Sequence, residues 1–181
     1  MKRLGYVLLI SLTCLAFTSV AHLSYLPQHL CKKMDRHIKK AFSKTAVCTE
    51  IETPDEYKIN HQFFKVSDSD TSAGYVIITR ALGCQSGGCD KPKQQTDSVA
   101  FEQFFFMTAF DKQKQIKQVR VLEYTSNHGY EIASKSWLKQ FTKNEPFTVG
   151  KNIDGISGAT ISVKSITKNV NLQREIIQEV E

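Results

Sequence analysis

No internal repeat, low-complexity tract or second-domain linker interrupts the 181 residues of this sequence, which leaves room for one domain with its own core. The charge excess is small: +6 formally, or +4 without Lys2 and Arg3. No stacking-aromatic motif of the RNA-binding kind accompanies it, so nucleic acid is not an expected partner. The sequence has no Cys-x-x-Cys-His haem attachment site, and Cys84-x4-Cys89 lacks the second ligand pair of a zinc site. Residues 67–72 (SDSDTS) lack the glycine and the distal glutamate of an EF-hand loop. His22, His29, His37 and His61 show no metal-ligand spacing with carboxylates, and no Ser-His-Asp arrangement points to a hydrolase.

What is present is an apolar fraction of 41% that includes eleven phenylalanines, a composition suited to a globular core. Residues 1–21 read as a secretory signal. Lys2 and Arg3 form the positive end, residues 4–17 the apolar stretch, and Ser19-Val20-Ala21 a small-x-small cleavage site, so the mature chain would begin at His22. The alternative is an uncleaved membrane anchor over residues 4–20, a stretch diluted by Ser11, Thr13, Thr18 and Ser19. Thr13 before Cys14 is not the small residue a lipoprotein signal wants. The domain then spans 22–181, in a periplasmic or other extracytoplasmic location, with membrane attachment as the variant.

Four cysteines remain after position 21. In an oxidising compartment an even number implies pairing, and Gln85-Ser86-Gly87-Gly88 is a loop flexible enough to join Cys84 to Cys89. That pairing leaves Cys31 and Cys48 to each other. A redox-active Cys84–Cys89 couple is the other reading of the loop.

Periodicity gives the elements. Leu30, Met34, Ile38 and Phe42 share one face of a helix whose other face is basic. Residues 46–52 alternate as a strand before Thr53-Pro54-Asp55, and Phe63, Phe64 and Val66 suggest another. Residues 67–72 read as a polar loop. Tyr75–Thr79 is rich in β-branched residues. Residues 101–110 are apolar on both alternating faces, as in a strand buried on two sides; 111–115 form a polar turn, and 116–124 return as the partner strand. This hairpin is expected in the middle of the sheet. Ser134 caps a short helix buried through Trp137, Leu138 and Phe141. The fold class is α+β: a central antiparallel sheet with flanking helices and a C-terminal helix.

That last helix follows Asp154-Gly155-Ile156-Ser157-Gly158-Ala159-Thr160-Ile161-Ser162. From Thr160 on, Val163, Ile166, Val170 and Ile177 form an apolar stripe with one vacancy at Gln173. A hydroxyl at a helix N-terminus sits where unpaired N–H groups and the helix dipole favour a phosphate. The simpler interpretation is a turn followed by a helix with Ser157 or Thr160 as its N-cap.

The pattern Asp-x-x-Ser-Gly-Ala-Thr-x-Ser resembles the flavinylation motif of the FMN-binding domain family, typified by the C subunit of sodium-translocating NADH:quinone reductase and the G subunit of the Rnf complex. The resemblance extends through Gly74-Tyr75, residues 116–132, 137–141 and Gly150, about the C-terminal 110 residues; simple exported single-domain members are the closer comparison. It implies FMN joined to Thr160 through a phosphoester, with Ser157, Gly158 and Ala159 around it. It also implies that Asp154 helps a separate flavin transferase, which cleaves FAD with magnesium, to recognise or activate the hydroxyl. Asp154 capping the turn is the other reading.

The family's Glu-Thr-Pro-Gly stretch corresponds here to residues 123–129, keeping Glu123 and Gly129 without the proline. His128 lies in that loop as a candidate flavin neighbour or a plain turn histidine, and Tyr124 and Tyr130 as candidate ring contacts or sheet-edge residues. The implied function is an exported electron carrier, not a stand-alone enzyme, with a membrane redox protein or complex as partner. A disulfide-stapled exported binding module without flavin is the alternative.

Overall fold

The computed structural model describes residues 26–69, 71–85, 101–126, 129–143 and 146–180. The signal segment, Cys89 and His128 lie outside the described residues, so the expectations resting on them concern positions the structure does not describe.

The helix α1 (Gln28–Ala41) is followed by β1 (Val47–Ile51), β2 (His61–Asp68), β3 (Thr71–Gln85), β4 (Phe101–Asp111) and β5 (Ile116–Glu123). A 3-10 turn (Tyr130–Ala133), the short α2 (Lys135–Leu138), a second 3-10 turn (Lys139–Thr142) and the long α3 (Thr160–Ile176) complete the chain. The five strands pair antiparallel in sequence order, β1-β2-β3-β4-β5, a meander. The α+β architecture is therefore the observed one. Among the described residues, no helix is long and apolar enough to cross a membrane.

The sheet buries both faces. On one, Phe104, Phe106 and Phe110 of β4 join Ile77 of β3 and pack against Val163, Ile166 and Val170 of α3 and against Trp137, Leu138 and Phe141. On the other, Met107 and Ala109 of β4 join Val76 and Ile78 and meet Leu30, Met34 and Ile38 of α1. A strand serving two cores must be apolar at every position, which is why residues 104–110 lack polar alternation. Thr108 is the exception, a fully buried hydroxyl.

Three expectations are corrected. The β4–β5 hairpin is not the middle of the sheet: β3 is central and β5 lies at one edge. The signals for β1 and β2 are short, and the sheet extends on their side. The polar loop at 67–72 is mostly strand, with only a tight turn between Asp68 and Thr71 that uses Ser69 at φ 48°. Cys31 and Cys48 are both free. Cys31 follows the inward-facing Leu30 and so lies on the solvent side of α1, while Cys48 packs half-buried against the α1-side core.

Candidate functional site

The motif's segment runs across the top of the α3-side core, and its backbone is held before the helix begins. Trp137 Nε1 donates to the Asp154 carbonyl at 2.9 Å, and the Asp154 N–H donates to Gln140 Oε1 at 2.9 Å. The apolar face of α2 and the turn after it is thus only part of their role, since one polar atom from each clamps the entry to the motif. The Asp154 side chain itself is exposed. Ala159 is fully buried, and Gly158 precedes it at φ 74°, in the left-handed region that favours glycine.

Opposite Ala159 stands Gly129, also left-handed at φ 70°; a Cβ there would fall 2.1 Å from the Ala159 Cβ. The two residues come from segments thirty positions apart, and their close approach requires glycine at 129. Gly129 and the motif, both singled out from sequence, therefore meet in space.

The helix begins at Thr160 with Ala159 in the N-cap position and no side-chain cap hydrogen bond. Neither Ser157 nor Thr160 caps it, contrary to the simpler reading of this stretch. Both residues are exposed, and Thr160 stands at a helix end that no side chain caps. Ser162, two residues on, is wholly different: it is fully buried, its Oγ is 3.0 Å from the Tyr124 hydroxyl, and it donates to the Cys84 sulfur at 3.5 Å. The Cys84 sulfur also lies 3.4 Å from the Gly158 carbonyl oxygen. Three elements meet in this cluster: β3 supplies Cys84, the end of β5 leads into Tyr124, and α3 supplies Ser162.

Tyr124 is therefore not a free aromatic surface. Its hydroxyl is engaged by Ser162 and its ring meets Phe104 edge-on at a centroid distance of 5.5 Å. Tyr130, by contrast, is 71% exposed. Glu123 lies at the end of β5, where it pairs with His29 of α1 at 2.9 Å. Neighbouring Lys33 donates to the Leu122 carbonyl, so α1 is fastened to the same strand end twice.

Periodicity also placed Gln173 as a gap in the apolar stripe of α3, but it is fully buried. Its Nε2 donates to Thr79 Oγ1 at 2.5 Å, and His61 Nδ1 lies 2.8 Å from the same oxygen. Burial pushes the His61 imidazole down to about 4, so it is neutral at pH 7.

Sequence reasoning missed the Trp137 and Gln140 clamp on Asp154, the Cys84–Ser162–Tyr124 contacts and the His29–Glu123 pair. Each joins residues far apart in sequence, and no local spacing announces them. Among the described residues no group of His, Cys, Asp and Glu is arranged to hold a metal ion.

Residues 102–172 match the model of the FMN-binding domain. The match takes in β4, β5, the α2 region and most of α3, and so includes Glu123, Gly129, Asp154 and Ser157 to Thr160; Gly74-Tyr75 lies upstream of it. No curated protein matches the chain. The segment is thus similar to an FMN-binding domain.

Proposed function

We propose that this chain is an exported flavoprotein that holds FMN covalently at Thr160 and passes electrons between a membrane redox partner and another acceptor. The observation that carries the reading is the contrast between Thr160 and Ser162. One residue is exposed at a helix N-terminus that no side chain caps, while the other is buried and already bonded to Tyr124 and Cys84. Only the first is open to a transferase.

The residues present fit a phosphoester. Gly158 is left-handed with open space where a Cβ would stand, which leaves room beside the hydroxyl. Thr160 opens α3, a seventeen-residue helix without a side-chain cap, and the positive end of its dipole would favour the charge of a phosphate there. Attachment by a flavin transferase would form the Thr160 Oγ1–phosphorus bond and break the phosphoanhydride of FAD. The threonine proton is lost and AMP leaves. Asp154, exposed and fixed through its backbone, is the residue we assign to recognition by that transferase.

When bound, FMN supplies one- and two-electron chemistry. The protein's part is to tether, orient and expose it. A tether outside the cytoplasm keeps the cofactor at a high local concentration where a dissociated one would be lost. Export itself rests on the sequence of residues 1–21.

Coexpression with a flavin transferase tests the proposal. The expected product is yellow, and the colour stays with the protein after denaturation. A folded protein that loses all its flavin on denaturation would refute covalent attachment.

A further inference from the structure

Along the edge strand β5 lies a cleft of about 420 Å³ lined by Lys117, Gln118, Arg120, Lys135, Lys139 and Thr142 together with two apolar residues. It holds four cations and no carboxylate. The cations come from two elements for different reasons. Lys135 and Lys139 are exposed and one helical turn apart, on the side of the α2 region left to solvent once Trp137, Leu138 and Phe141 face the core. Lys117 and Arg120 project from β5 between its core residues Ile116, Val119 and Val121.

None of the four makes an ion pair with another described residue. Arg120 is instead held in place by neutral groups. Its Nη1 donates to the Val119 carbonyl at 2.8 Å, and the Gln118 amide oxygen, correctly oriented, accepts from its Nε at 2.6 Å. Lys117 Nζ lies 5.0 Å from the centre of the Phe42 ring. These contacts orient the positive charges without neutralising them.

The positive field continues onto α1. His37 is pushed down to about 4, first by burial and then by the charges of Arg120, Lys33, Lys40 and Arg36. Like charges gathered in a concavity focus the field and concentrate anions there. A guanidinium held only by neutral groups and two ammonium groups one turn apart form a set of charged donors suited to phosphate oxygens.

We propose that this cleft binds a phosphate-bearing polyanion, with Arg120, Lys135 and Lys139 as its principal ligands. The site is independent of Thr160, and flavin content is not needed for it to bind. Two sources share the chemistry: a soluble oligophosphate and the phosphodiester headgroups of an anionic membrane.

The test uses the whole protein at low ionic strength, with sodium tripolyphosphate in one arm and vesicles of phosphatidylglycerol or of phosphatidylcholine in the other. Titration calorimetry and vesicle co-sedimentation are the readouts. Binding to tripolyphosphate identifies a soluble ligand, and binding to phosphatidylglycerol vesicles alone identifies a headgroup. In either case the Lys135→Ala/Lys139→Ala variant should bind roughly tenfold or more weakly, because two charge-assisted donors are gone. Both lysines are exposed, so that variant should keep the circular dichroism spectrum of the parent. Failure of both probes to bind the parent, or equal binding by the parent and the double variant, would overturn the proposal.

Discussion

The Tyr124 hydroxyl lies 3.0 Å from Ser162 Oγ, and this contact joins the residue just after β5 to the first turn of the helix that begins at Thr160. A hydroxyl pair between a sheet end and a helix start fixes the angle at which the helix leaves the sheet. It also removes Ser162 from any competition with Thr160. Replacing Tyr124 by Phe keeps the ring contact with Phe104 and deletes only the hydroxyl. The loss should be about 1 kcal/mol, the usual net value of one hydrogen bond, read from the midpoint of urea unfolding. A Tyr124→Phe protein as stable as the parent would show that the contact contributes nothing.

Gly129 and Ala159 form a tighter constraint. In Gly129→Ala the new methyl would meet the Ala159 Cβ at 2.1 Å and the residue would have to hold φ 70°. Strain and overpacking together should cost roughly 2–4 kcal/mol. Ala159→Gly removes the atom that is struck, so the double variant should recover part of the loss. Simple additivity of the two changes would contradict a direct clash.

Much of the fold is legible in the sequence because its signals are local. The α1 stripe of Leu30, Met34 and Ile38, the two-faced apolar run of β4 and the start of α3 at Thr160 all follow from spacing. What spacing does not carry is strand order. The β4–β5 pair has the strongest hairpin signal, yet β5 lies at the edge because β1 and β2 extend the sheet on the far side of β3. Gln173 was misleading for a related reason. A polar residue in an apolar stripe looks like a surface position unless its partner is known, and Thr79 is ninety-four residues away.

Within the candidate site, the motif and Gly129 were legible and do come together. The backbone clamp from Trp137 and Gln140 was not, since Trp137 reads as a core aromatic until its indole N–H is traced to the Asp154 carbonyl.

The buried His61 makes stability depend on pH. Its folded value, about 4, lies below the ordinary 6.5, so the unfolded chain takes up the proton first as the pH falls. The contribution is fully present above pH 6.5 and is lost as the pH drops toward 4, on the order of 3 kcal/mol in all. His37, also lowered to about 4, acts in the same direction. Urea unfolding at pH 7 and pH 4.5 should show this loss, and His61→Gln should reduce it. An unchanged pH dependence in that variant would rule His61 out as its source.

The two free cysteines should differ in reactivity. Cys31 is exposed, while the Cys48 thiol is pushed up to about 12 by burial, with Asp35 and Glu50 adding to the shift. A thiol reagent at pH 8 should label Cys31 promptly in the native protein and Cys48 only after unfolding. Protection of both until reduction would instead indicate a bridge between them.

The most direct test of the central claim is mass spectrometry of the peptide spanning Asp154 to Lys164 from protein coexpressed with a competent flavin transferase. FMN should be found on that peptide, with fragmentation placing it on Thr160 rather than on Ser157 or Ser162, and Thr160→Val should abolish it while the protein stays folded. A peptide of unmodified mass, or FMN located on either serine, would contradict the account.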